Sequence, residues 1–189
     1  VNYNFPTPII SGPGAISHLP SILHDRGFKR TSIVTDRGIV GLPWFTKLVD
    51  NLSKEFEVTV FSDFQGNPIC SHVDAGTAFL REVNAKSVIA IGGGAALDVA
   101  KAMVLMQNHA GHLFDYEDGN PDAPPVEGFI ADLIAIPTTA GTGSEVGRSA
   151  VISDDETHAK KIIFSPRLLP TQVIADPELT LGLPASLTA

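Results

Sequence analysis

Ser87-Val88-Ile89-Ala90-Ile91-Gly92-Gly93-Gly94-Ala95-Ala96-Leu97-Asp98-Val99-Ala100-Lys101 runs an apolar strand straight into three glycines and then into an amphipathic helical pattern. That geometry suits a phosphate. Glycines let backbone N–H groups approach an anion, and the start of the next helix adds its partial positive charge. The dinucleotide fingerprint Gly-x-Gly-x-x-Gly would need its third glycine where Leu97 stands, so this is a different turn. The alternative is a purely steric use of glycine at a strand-to-helix corner.

A second segment narrows the reading. Ala131 to Ile136 reads as another buried strand and leads into Pro137-Thr138-Thr139-Ala140-Gly141-Thr142-Gly143-Ser144-Glu145. Hydroxyls and free amides at the C-terminal end of a strand suit pyrophosphate and ribose oxygens, and open α/β sheets bind ligands at that edge. Thr142 and Glu145 also have the spacing of a capping box, which would use one hydroxyl and leave the others free.

Outward from these two loops, strands and helices alternate. Expected strands are 33–35, 58–61, 88–91 and 133–136, and expected helices are 15–24, 43–53, 71–84 and 95–106. The class is α/β, with a parallel sheet between two helical layers. Residues 107–128, rich in Pro, Gly and Asp, read as a long surface excursion. Beyond it, 150–153 and 161–165 form a hairpin through the acidic turn Asp154-Asp155-Glu156, leaning over the sheet edge.

Composition limits the function classes. The 189 residues are 43% hydrophobic, with a formal net charge of −8 and a mean hydropathy of +0.16. One domain of this length buries a sizeable core. An acidic chain without a basic stripe has no means of neutralising a phosphate backbone, so no nucleic-acid partner is expected. The single cysteine, Cys70, cannot form an internal disulfide, and there is neither a signal peptide nor an apolar run of membrane length. A cytoplasmic protein without a membrane partner is the expectation. Cys70 itself reads as a half-buried structural thiol.

Gly-Gly-Gly-x-x-x-Asp-x-x-Lys at 92–101, Pro-Thr-Thr-Ala-Gly-Thr-Gly-Ser-Glu at 137–145 and Asp-Pro-Glu-Leu at 176–179 resemble the iron-containing (group III) alcohol dehydrogenases in order and separation. The resemblance runs from an N-terminal strand with Gly12-Pro13-Gly14 to the ending Leu183-Pro184-Ala185-Ser186-Leu187-Thr188-Ala189. It covers the first half of the family only. The implied fold is a Rossmann-like, dehydroquinate-synthase-like nucleotide-binding domain over residues 1–189. A C-terminal helical domain, which in the family binds Fe2+ or Zn2+ through an aspartate and histidines, is expected to be absent from this chain.

The implied activity is reversible hydride transfer between a small alcohol and nicotinamide, giving an aldehyde or ketone, in a homo-oligomer such as a dimer. The metal would act there as a Lewis acid. The same resemblance implies a cofactor-binding set of Asp36, Asn67, Gly92, Gly93, Gly94, Asp98, Thr138, Thr139, Thr142, Ser144, Lys160 and Leu179. Catalytic residues stay unassigned. Two alternatives stand: a nucleotide-binding module without turnover, and a relative of glycerol dehydrogenase or dehydroquinate synthase, which the 138–145 motif fits less well.

Several positions also have independent readings. Asp36 ends an apolar strand, where a carboxylate accepts hydrogen bonds from ribose hydroxyls and repels a 2′-phosphate, favouring NAD over NADP. It also suits a turn leading into Gly38. Asp98 and Lys101 are spaced for a surface ion pair on one helix. Adjacent Lys160 and Lys161 point to opposite sides of a strand, so one of them reaches the cleft, and the resemblance favours Lys160. Ser149 stands where some family members carry a cofactor-contacting asparagine. His109, His112 and Asp115 invite a metal, but a solvated loop is the expectation.

Overall fold

The computed structural model describes residues 7–183, so the segment 184–189 quoted above lies outside the described residues. Eight strands follow in chain order: β1 (Ile9–Ser11), β2 (Arg30–Val34), β3 (Glu57–Phe61), β4 (Ser87–Gly92), β5 (Asp132–Pro137), β6 (Ser149–Ser153), β7 (Lys160–Phe164) and β8 (Gln172–Ala175). Six of them form one sheet in the order β1-β8-β5-β4-β2-β3. Every pairing in it is parallel. Strands β6 and β7 make a separate antiparallel hairpin, with Ser149 opposite Phe164 and Ser153 opposite Lys160.

The helices are α1 (Leu19–Asp25), α2 (Arg37–Val40), α3 (Pro43–Leu52), α4 (Cys70–Glu82) and α5 (Gly94–Met106). A sheet covered on both faces needs apolar side chains at every position, and β4 is buried from end to end. One face carries Ile33, Ile89, Ile91, Ile134, Ile136 and Ile174, packed with Leu19, Leu23, Phe45 and Leu52 from α1 and α3. The other carries smaller residues such as Val34, Ala90 and Ala135, packed with α4 and α5. Isoleucine thus lines one layer, and alanine and valine leave room for α5 in the other.

Winding reverses between β2 and β4. From β2 the chain moves outward to β3, then crosses back over β2 to β4 and continues the other way to β5 and β8. A crevice opens outside the strand ends where such a sheet changes direction.

Three expectations need correction, and one strand lies outside them. Helix α5 is not amphipathic: Ala96, Leu97 and all residues from Val99 to Met106 are buried, because α4, β6 and the sheet surround it. The 107–128 stretch is not wholly superficial, since His109, Leu113 and Tyr116 are buried. His109 is consequently not a solvated side chain: its Nδ1 lies 2.7 Å from the Leu105 carbonyl, and its Nε2 accepts from the Gly128 N–H at 3.0 Å. Finally, β8 is a strand that its own residues do not announce. No helix among the described residues is long and apolar enough to cross a membrane.

Candidate functional site

The glycine turn is a steric requirement before it is a binding feature. Gly92 has φ +149°, and a Cβ there would lie 2.6 Å from the Ala96 Cβ. At Gly94 a Cβ would stand 2.6 Å from Thr142 Oγ1 and 3.0 Å from its Cγ2. The loop after β5 is therefore seated directly on the turn after β4, and the Thr138 N–H donates to the Gly92 carbonyl at 3.0 Å. Gly93 is looser, with Thr139 Cγ2 at 3.4 Å from an added Cβ. No side chain caps the start of α5, so the amides of its first turn have no side-chain acceptor.

Asp36 sits across this turn at the end of β2. Its Oδ1 accepts from the N–H groups of Gly38 at 2.8 Å and Ile39 at 3.2 Å, capping α2. Its Oδ2 is the oxygen that faces Gly92, 3.5 Å from where a Cβ would be. The turn reading of Asp36 is thus met by Oδ1, and among the described residues Oδ2 has no hydrogen-bond partner of its own.

Beside the glycine turn lies a cleft of about 390 Å³. Asn67, Gly94, Asp98, Thr142, Ser144 and Lys160 all line it, with Ser149, Val151 and Ser153 from alternate positions of β6. Lys161 turns away to pair with Glu117 at 2.8 Å. Gly92, Gly93, Thr138 and Thr139 are not among its lining residues, and Thr138 is buried. Leu179 is apart from the cleft, in a hollow of about 510 Å³ with Trp44 and Lys47. That hollow, like another of about 480 Å³ around Phe129 at the opposite end of the sheet, is larger than the cleft. Of these three hollows, the cleft brings together Gly94 of the glycine turn, Thr142 and Ser144 of the hydroxyl loop, and Asp98.

Below the cleft floor lies a polar network absent from the sequence reading. Lys101 is 1% exposed rather than on the surface. Its Nζ donates to the Ser144 carbonyl at 2.5 Å, to Ser144 Oγ at 2.9 Å and to the Ser149 carbonyl at 3.0 Å. Asp98 accepts from Ser144 Oγ at 2.6 Å and from the Val151 N–H at 3.1 Å, while its separation from Lys101 Nζ is 3.9 Å. Burial pulls Lys101 down to about 8 against the attraction of Asp98 and Glu145. Burial also pushes the Asp98 carboxyl up, opposed by its bonds to Ser144 and Val151 and by Lys101. Both shifts favour the neutral forms, so desolvation outweighs the ion pair at this long distance.

The capping box does not form. Gly143, at φ 70°, precedes a short 3-10 turn (Ser144–Val146) without any side-chain cap, and the Thr142 hydroxyl accepts from the Ser144 N–H at 3.3 Å. Cys70 is buried; desolvation, then Asp74, Asp155 and Asp154, raise its thiol to about 12, which makes it inert at neutral pH. His112 and Asp115 cap a 3-10 turn (Leu113–Tyr116). Among the described residues no three His, Cys, Asp or Glu side chains gather into a set that could hold a metal.

Comparison with known proteins gives a consistent result. The family model for iron-containing alcohol dehydrogenase matches residues 6–177. A 4-hydroxybutyrate dehydrogenase of Cupriavidus necator is 39% identical over 177 residues, covering 93% of this chain and 46% of that protein. A 1,3-propanediol dehydrogenase of Klebsiella pneumoniae is 34% identical, covering 100% of this chain and 48% of the relative. The crystal structure of sulfoacetaldehyde reductase from Bifidobacterium kashiwanohense in complex with NAD+ superposes with a TM-score of 0.89 at 33% identity, over 98% of this chain and 48% of that one. The chain spans about half the length of the curated relatives it matches.

Proposed function

Since the chain belongs to the iron-containing alcohol dehydrogenase family, we propose that it supplies the NAD-binding half of a metal-dependent alcohol dehydrogenase. The observation that carries this is the interlock of Gly94 with Thr142 beside an uncapped, thirteen-residue helix at the sheet's reversal point. It offers close amides, hydroxyls and a helix N-terminus together, which is what a pyrophosphate needs.

On this reading Gly92, Gly93 and Gly94 let the pyrophosphate approach the backbone. Thr138, Thr139, Thr142 and Ser144 offer hydroxyls, and the Asp36 oxygen turned toward Gly92 accepts from the adenosine ribose. Like charge at that oxygen disfavours the 2′-phosphate of NADP. Asn67 borders the adenine side of the dinucleotide and Lys160 its nicotinamide ribose, Asp98 orients that ribose, and Leu179 borders the adenosine end. Bound NAD supplies a hydride acceptor at nicotinamide C4.

The described residues hold no ligand set for the divalent metal, so no step is derived through it; iron or zinc belongs, on this reading, to a C-terminal helical domain. A cytoplasmic homodimer acting on a small alcohol or aldehyde completes the proposal.

Purified residues 1–189, titrated with NAD by calorimetry and assayed for NADH formation with a panel of alcohols and added iron or zinc, test it. The chain should bind NAD and form no NADH, whereas a protein that adds the helical domain should form it. Absence of NAD binding would overturn the reading.

A further inference from the structure

One side of the cleft is assembled from distant parts of the chain: Asn67 and Pro68, which precede α4, and Ser153 and Lys160 of the β6–β7 hairpin. They are fastened together at the rim. The Ser153 N–H donates to the Pro68 carbonyl at 2.8 Å. Further out, Asp155 in the hairpin turn takes both donors of Ser71: its Oδ1 accepts from Ser71 Oγ at 2.5 Å, and its Oδ2 from the Ser71 N–H at 3.0 Å.

Helix α4 has Ile69 at its N-cap position and no side-chain cap of its own. Asp155 therefore caps it from another element, where a negative charge also meets the positive end of the helix. The turn that presents Asp155 is preformed. Asp154 Oδ1 accepts from the Glu156 N–H at 3.1 Å, the Thr157 N–H at 2.7 Å and Thr157 Oγ1 at 2.8 Å. A rigid turn carrying a bidentate acceptor fixes the orientation of the hairpin, and with it Lys160, relative to the segment that carries Asn67.

We propose that Ser71 and Asp155 are a positioning pair for the cofactor: their bond holds the hairpin turn against the start of α4 and so fixes how Asn67 and Lys160 stand relative to one another when they engage one dinucleotide. The inference rests on the reading of this cleft as an NAD site. Neither residue needs to touch the cofactor. Loss of the bond leaves the hairpin joined to the Asn67 segment through the Ser153–Pro68 bond, loosens its tip, and lets bound dinucleotide leave faster.

The test measures the NAD dissociation constant and the NADH release rate for wild type, Asp155→Ala, Ser71→Ala and Asp155→Asn in the protein carrying this chain, together with the melting temperature of each without cofactor. Asp155→Ala should weaken NAD binding about five- to tenfold, the span of a lost helix cap, mainly through faster release. Ser71→Ala, which keeps the backbone bond, should show a smaller change in the same direction. Asp155→Asn, which keeps the shape and an acceptor for the Ser71 N–H, should recover most of the affinity. A lower melting temperature in Asp155→Ala with unchanged NAD affinity would reduce the pair to a fold contact and overturn the proposal. Wild type that binds no NAD would instead remove the reading beneath it, and the proposal with it.

Discussion

Lys101 is costly to remove, because three oxygens and one carboxylate are arranged around its ammonium in a nearly water-free site. Lys101→Met fills much of the same volume but leaves the Ser144 and Ser149 carbonyls without a donor. A loss of about 2–4 kcal/mol is expected in urea unfolding at pH 7. The pH dependence has a definite sign. With the lysine lowered to about 8 in the fold and near 10.4 in the unfolded chain, the unfolded state binds more protons between those values. Wild type should therefore gain stability relative to Lys101→Met as pH rises from 8 toward 10.4; a flat difference would mean that the buried ammonium is not penalised. Asp36 caps α2 through Oδ1 alone, so Asp36→Asn keeps an acceptor for that cap while removing the charge. Competing titrations of NAD and NADP should show the preference for NAD shrinking by about 1–3 kcal/mol. At this scale the sequence was partly legible. The spacing of Asp98 and Lys101 correctly implied a pair, yet spacing cannot report that β6 and the Ser144 loop roof them over.

Helices α4 and α5 meet without clearance, and Gly76 is the point of contact. A Cβ there would lie 2.4 Å from Met103 Sδ and 2.9 Å from its Cγ, and Met103 is fully buried. Gly76→Ala gains helix propensity but forces the thioether aside in a filled layer. Thermal unfolding should show a net loss of about 1–2 kcal/mol, and Gly76→Ala combined with Met103→Ala should restore part of it through the freed volume. Elements that end at sharp punctuation, such as β2 before Asp36 and β4 before the glycines, were readable from their apolar runs. Strand β8 was not, since Gln172-Val173-Ile174-Ala175 is short and opens on a polar residue. It becomes a strand because β1 and β5 flank it. Helix α5 misled for the converse reason: Lys101 and Gln107 look solvent-facing in sequence, yet they find partners inside, with Gln107 Nε2 donating to the Ala85 carbonyl at 2.8 Å.

Across the whole molecule, the proposed NAD cleft joins the ends of β2, β4 and β5 to the hairpin and the α4 entrance, so one ligand touches both sides of the winding reversal. Cofactor at a hundred times its dissociation constant should stabilise the fold by about 2.7 kcal/mol, visible as a higher unfolding midpoint in urea at unchanged slope. The topology also sets a timetable. Among the described residues β1 pairs only with β8, Ile9 with Val173 and Ser11 with Ala175, so it has no partner there until β8 has been synthesised. At ribosomal speeds of about 5–20 residues per second, β1 waits on the order of ten to thirty seconds. During that interval Ile9 and Ile10 belong to an unpaired segment, and holding it away from other chains is a task for the translating cell rather than for the fold.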